Sequence, residues 1–166
     1  MNLYLDGKEH KVELHKILSQ KLYNEVTPLL SELETSEGAR KAYEAHLQKK
    51  MLSDDYFKGK LNLLQGADAW EVLKDDFRLQ EIIAETLMTV RENIFEYVSF
   101  NESTIQIIFK LAKICINHKT IANQELKSAI ESDVDSDFWQ EQDLNSIMEE
   151  LKFFRENVLA RIKTNI

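Results

Sequence analysis

Asp6-Gly7 stands between two short runs, Met1–Leu5 and Lys8–Leu14, in which apolar and polar residues alternate. An Asp-Gly pair in that setting marks a β-hairpin, because a type I′ turn holds both central residues at positive φ. A two-residue turn leaves one register: Leu5 opposite Lys8, Leu3 opposite His10, Met1 opposite Val12. Directly opposed residues share a face, so Met1, Leu3, Leu5, Val12 and Leu14 form an apolar side. Tyr4, Glu9, Lys11 and Glu13 form the other. A lone hairpin is marginal in water and needs a platform. Nearly everything after it reads as helix. The expected fold is mainly α, an N-terminal β-hairpin packed on a multi-helix bundle.

Four Gly and one Pro in 166 residues leave few breakers, which favours long helices. Ile17, Leu18, Leu22 and Val26 fall at helical spacing. Thr27-Pro28 reads as a break, since Thr is an acceptable N-cap and Pro suits a first turn. Leu29, Leu30 and Leu33 continue the stripe. Ala39, Tyr43, Leu47 and Met51 repeat at i, i+4 and predict a second helix after a Thr35–Gly38 connection. Ser53-Asp54-Asp55 reads as the cap of a short helix with Tyr56, Phe57, Leu61 and Leu64, closed by Gly66. Asp68 caps a turn with Trp70, Val72 and Leu73.

A long helix is expected over 75–98, on Phe77, Leu79, Ile83, Leu87, Val90, Ile94 and Val98. Ser103 is the expected cap of the next, with Ile108, Phe109, Ala112 and Cys115 inward, ending at Asn117-His118-Lys119. A shorter helix bears Ile121, Leu126, Ala129 and Ile130. The last is expected from about Phe138 to Lys163, with Leu144, Ile147, Met148, Leu151, Phe154, Val158 and Ile162 inward. A single domain over 1–166 is the simplest reading, with a candidate sub-boundary near 59–68, where two glycines fall. Neither edge of the hairpin has a third strand evident in the chain, so both are expected open to strand addition.

The net charge of −8 is uneven. Residues 1–66 hold ten Lys/Arg and ten Asp/Glu, whereas 67–166 hold eleven and nineteen. That balance argues against nonspecific nucleic-acid binding, which needs a basic footprint. Apolar runs are too short to span a membrane. No basic region precedes a long apolar stretch, so no secretory signal is read and a cytoplasmic protein is expected. Cys115 is the single cysteine, in an apolar helical stretch that suits a small buried hydrophobe.

Chemistry-bearing patterns fail at their specifying positions. Asp133-x-Asp135-x-Asp137 fits the first half of a calcium loop, but Phe138 stands where Gly is needed and Leu144 where the bidentate Glu belongs. It reads instead as acidic residues at a helix N-terminus. His10, His15, His46 and His118 form no metal-ligand spacing. Nucleophile-elbow, P-loop and dinucleotide motifs are absent. The adjacent pairs Asp75-Asp76 and Glu149-Glu150 point about 100° apart on a helix and make no acid/base dyad. No catalytic role, cofactor or metal is expected. The doublets Phe138-Trp139 and Phe153-Phe154 each leave one aromatic off the inward stripe, and displaced aromatics mark partner surfaces. The candidate partner-binding residues are therefore Leu3, Tyr4 and Leu5 on the hairpin and Trp139, Met148 and Phe153 on the last helix.

The opening pattern, Leu3-Tyr4-Leu5-Asp6-Gly7-Lys8 through Val12-Glu13-Leu14, followed by an acidic helical remainder without catalytic motifs, resembles the tail assembly chaperones of long-tailed bacteriophages. The resemblance implies a non-catalytic protein of the host cell cytoplasm that coats the hydrophobic tape measure protein, recruits tail tube subunits and self-associates. The alternative is an acidic helical regulator or inhibitor that occupies a basic protein surface.

Overall fold

The computed structural model describes residues 1–60, 71, 73–152 and 156. The protein is mainly helical, with an N-terminal two-stranded antiparallel hairpin packed against helices. Two compact units form: residues Met1–Leu33 with Ser99–Ile166, and residues Glu34–Val98. The candidate sub-boundary at 59–68 falls for the most part outside the described residues. So do Leu61, Leu64, Gly66, Asp68, Trp70, Val72, Phe153, Phe154, Val158 and Ile162.

In the first unit, β1 (Asn2–Leu5) and β2 (Lys8–Lys11) pair in the register that the turn dictates. Asp6 and Gly7 take φ of 52° and 77°, the positive values a type I′ turn needs. Met1, Leu3 and Val12 are buried, and Leu5 and Leu14 are half-buried. The hairpin is tied to the segment from Ser99 onward through Tyr4 with Gln142 and Leu14 with Ile116, and α1 (Gln20–Glu34) belongs to the same unit.

Thr27-Pro28 does not break α1. Leu22, Val26, Leu30 and Leu33 form one buried stripe across it, and Thr27 Oγ1 donates to the Tyr23 carbonyl at 2.7 Å. An interior proline costs about 3 kcal/mol. Four buried aliphatic side chains, at about 1.5–3 kcal/mol each, outweigh it.

The return segment of this unit begins with a helix over Glu102–Cys115. Its cap is Asn101 rather than Ser103: the Asn101 side chain accepts from the Thr104 N–H at 2.9 Å, and Thr104 Oγ1 accepts from the Asn101 N–H at 3.1 Å. A 3₁₀ turn (His118–Thr120) leads to a helix over Gln124–Glu131, then a short one over Asp137–Gln140. The long final helix expected from Phe138 is therefore interrupted. A new helix starts at 144, where the Asp143 side chain accepts from the Ser146 N–H at 3.2 Å. The break has a tertiary cause, because Gln142 is turned inward and occupied by the hairpin.

In the second unit, α2 (Glu37–Leu52) is capped by Ser36, and α3 (Asp55–Lys58) by Asp54, whose side chain accepts from the Tyr56 N–H. The helix expected over 75–98 is two: α4 (Phe77–Glu92), capped by Asp76, and α5 (Ile94–Tyr97). Asn93 parts them with φ −122° and ψ 27°, its side-chain amide donating to the Thr89 carbonyl at 3.0 Å. A short amide side chain that bonds local backbone competes with helix continuation. Leu47, Met51, Phe57 and Leu79 form the core here, with Tyr43, Leu73, Ile82 and Ile83 packed on it. Continuing in chain order, the helices of the first unit's return segment are α6 (Glu102–Cys115), α7 (Gln124–Glu131) and α8 (Asp137–Gln140).

Candidate functional site

The six residues expected at a partner surface divide by exposure. Leu3 and Trp139 have no exposed surface. Trp139 is the inward member of its doublet: its ring centroid lies 5.5 Å from that of Phe109, and its indole N–H donates to the Ile130 carbonyl at 3.3 Å. Leu5 and Met148 are half-buried, Tyr4 is 38% exposed, and Phe153 lies outside the described residues.

The hairpin edges are not equivalent. Leu3/His10 and Leu5/Lys8 are the pairs that exchange backbone hydrogen bonds, so Asn2, Tyr4, Glu9 and Lys11 point their backbone groups outward. At Tyr4 the β1 edge is closed. Gln142 Oε1 accepts from the Tyr4 N–H at 2.8 Å, and Gln142 Nε2 donates to the Tyr4 carbonyl at 2.9 Å and the Phe138 carbonyl at 2.7 Å. A buried side-chain amide thus imitates a neighbouring strand. Beyond β2, Leu14 bridges Ile116 in antiparallel fashion. There the Asn117 N–H donates to the Glu13 carbonyl at 2.8 Å, and the His15 N–H to the Cys115 carbonyl at 2.9 Å. The expectation of two open edges is corrected accordingly. The outward backbone groups of Glu9 and Lys11 on β2 bond to no described residue. A groove of about 230 Å³ lies beside them, walled by His10–Glu13 and residues 120–123.

In the second unit, an apolar groove of about 410 Å³ runs between α2 and α4. Ala39 and Tyr43 line it from α2, and Leu87 and Val90 from α4. Leu87 is 41% exposed. Arg40 and the Glu34–Arg91 ion pair border it. Arg91 Nε lies 2.9 Å from Glu34 Oε1, too oblique for a linear hydrogen bond, so charge holds the pair. Burial pushes the Tyr43 hydroxyl above the ordinary phenol range, keeping it a neutral donor in the groove. Tyr43, Leu87 and Val90 read from the sequence as core-facing stripe positions. Their helical spacing was the available signal; once α2 and α4 pair, Val90 is covered, Tyr43 is half-buried and Leu87 stays exposed.

Several ionisable groups elsewhere have local structural partners. Lys60 and Asp76 form an ion pair with Tyr56 beside it. The hydrogen bond with Lys60 holds the Asp76 carboxyl below the usual carboxylate range, and the same bond raises the Lys60 ammonium. Burial pushes the Cys115 thiol up to about 12, which suppresses the reactive thiolate. His118 Nε2 sits 2.8 Å from the Lys113 carbonyl, so it is the protonated nitrogen and closes the C-terminus of α6. Asp133, Asp135 and Asp137 are all exposed, and among the described residues no group of three or more His, Cys, Asp or Glu side chains is placed to hold a metal ion. No helix among them is long and apolar enough to cross a membrane.

No family model, curated protein or solved structure matches the chain.

Proposed function

We propose that this chain is a non-catalytic assembly protein that shields an apolar helical segment of a protein partner, as a phage tail assembly chaperone covers a tape measure protein. The observation that supports this reading is the groove between α2 and α4. A partner helix that presents apolar residues at i, i+3 or i+4, and i+7 matches such a groove. Ala39 and Val90 are buried at the base of the groove, and Leu87 from α4 and the half-buried Tyr43 from α2 offer the apolar surface to incoming side chains. Arg40 at the rim favours a helix with an acidic residue beside its apolar stripe, since rim charges set orientation and encounter rate more than affinity.

On this reading the gene cluster that encodes the chain also encodes a tape measure product, and co-expression with that product is the test. The product should be soluble with this protein and insoluble without it; equal solubility in both cases refutes the proposal. A second reading, an acidic regulator on a basic surface, draws on the −8 carried by residues 67–166. Raising salt separates the two: charge-driven binding weakens steeply, whereas apolar groove binding holds.

A further inference from the structure

The polar groups around the α2–α4 groove are unbalanced, and from that imbalance we infer that a carboxylate of the bound partner enters the groove and replaces Glu34 on Arg91. Two guanidiniums, Arg40 and Arg91, and one carboxylate, Glu34, line it, a local excess of one positive charge in a chain of net −8. Arg91 is incompletely satisfied. Its Nε is buried without a hydrogen bond, although Glu34 Oε1 lies 2.9 Å away, and its terminal nitrogens bond to no described residue. Arg40 makes no ion pair with a described residue, and Glu37, whose charge it feels, is held by Lys41 at 3.0 Å. The neutral Tyr43 hydroxyl is a third donor, with no hydrogen-bond partner among the described residues.

A guanidinium is a planar fork of N–H donors that fits both oxygens of a carboxylate at once. Glu34 meets that fork obliquely, which satisfies the charge and leaves the hydrogen bonds unmade. A carboxylate on an apolar body seated in the groove takes them up. The Arg91 and Glu34 side chains are 30% and 26% exposed, and a partly exposed ion pair costs little to open. Glu34 is then a resident competitor: while it holds Arg91, part of the population is closed to the partner, and apparent affinity falls by that fraction. An ammonium in the same place would meet one carboxylate and two guanidiniums, so charge selects against it. The inference rests on the groove being the partner site, as the proposed function has it. It adds the group the partner must bring: an aspartate or glutamate whose charge is held inside the groove by Arg91, beyond the orienting effect of Arg40 at the rim.

Octanoate, one carboxylate on an apolar chain, is the probe, and octylammonium, the same chain with the opposite charge, is its control. Titrated into the full chain and followed by nitrogen-resolved NMR, octanoate should move the Arg91 Nε–H signal and the Leu87 and Val90 amides with a Kd of about 1 mM, ordinary for a ligand of that size. Octylammonium should bind about tenfold more weakly or not at all. Arg91→Gln should weaken octanoate about tenfold, since a charge-assisted contact is lost. Glu34→Gln should tighten it about threefold, the worth of the ion pair it no longer has to open. A gain of that sign cannot come from a damaged fold, and circular dichroism checks both variants. The inference is overturned if octanoate leaves the Arg91 signal unmoved, if octylammonium binds as well as octanoate, if Arg91→Gln binds octanoate as the wild type does, or if Glu34→Gln binds it no better. The two readings fail separately. Octanoate bound as described, beside a tape measure product equally soluble without this protein, supports the carboxylate site and refutes the assembly reading; the reverse pair of results refutes the carboxylate site alone.

Discussion

Gln142→Ala should loosen the hairpin from the rest of its unit. The Gln142 side chain is 8% exposed and makes three hydrogen bonds, two to Tyr4 and one to the Phe138 carbonyl. A typical bond contributes about 1 kcal/mol net, so three set an upper figure near 3 kcal/mol. Tyr4 is partly exposed, and water can replace part of what its backbone loses. The expected loss is therefore about 2 kcal/mol. At 1.4 kcal/mol per tenfold, that is roughly a 30-fold fall in hydrogen-exchange protection for amides of β1, with α2–α4 peptides unchanged. Gln142→Glu should be at least as damaging. A carboxylate still accepts from the Tyr4 N–H, but it has no donor for two carbonyls and sets its charge against them. The variant should recover as pH falls and the carboxyl gains a proton. β1 protection unchanged within threefold in Gln142→Ala would refute the claim that this amide stands in for a third strand.

Cys115 should resist a thiol-alkylating reagent in native protein at pH 8 and react at once in denaturant, because burial holds its thiol near 12; rapid native labelling contradicts that burial. Pro28→Ala should stabilise the first unit by about 2 kcal/mol, since it restores the bond to the Asn24 carbonyl and lowers the intrinsic cost, less what a freer unfolded chain regains. A lower melting temperature would show that Pro28 is favourable where it stands. The Lys60–Asp76 pair should contribute in a window set by both groups. Asp76, depressed in the fold, stabilises above the ordinary carboxylate value, and the contribution is lost as pH falls through its folded value. Lys60, raised, stabilises below the ordinary ammonium value, and the contribution is lost as pH climbs through its folded value. Asp76→Asn keeps a capping oxygen for the Leu79 N–H and should flatten the acid limb of thermal stability against pH; an unchanged limb assigns it to other carboxylates.

The local devices were legible in the chain. Asp6-Gly7 fixes a register through backbone sterics alone, and the Ala39-Tyr43-Leu47-Met51 repeat marks a helix face without help from elsewhere. The misread points have distant causes. Gln142 is an ordinary helix former, and what stops the helix there is Tyr4, 138 positions away. Pro28 is a breaker by local rules, and the buried stripe on either side of it overrides them. Asn93 offered a local signal, a short amide among apolar residues, that the regular stripe around it masked. On a continuous helix Trp139 falls off the inward stripe; with a break after Gln140, its side chain turns inward onto Phe109. The α2–α4 groove is a property of two helices together, so stripe positions Tyr43 and Leu87 read as core until the helices are paired.

The most direct test of the assembly reading compares wild type and Leu87→Asp in co-expression with the tape measure product that this reading names as the partner. Leu87 is 41% exposed on the groove wall, so the aspartate should leave the fold intact while placing a charge where the partner's apolar face must sit. The account predicts soluble tape measure product with wild type and aggregated product with Leu87→Asp, at equal levels of folded protein. Equal solubility with both proteins would contradict it.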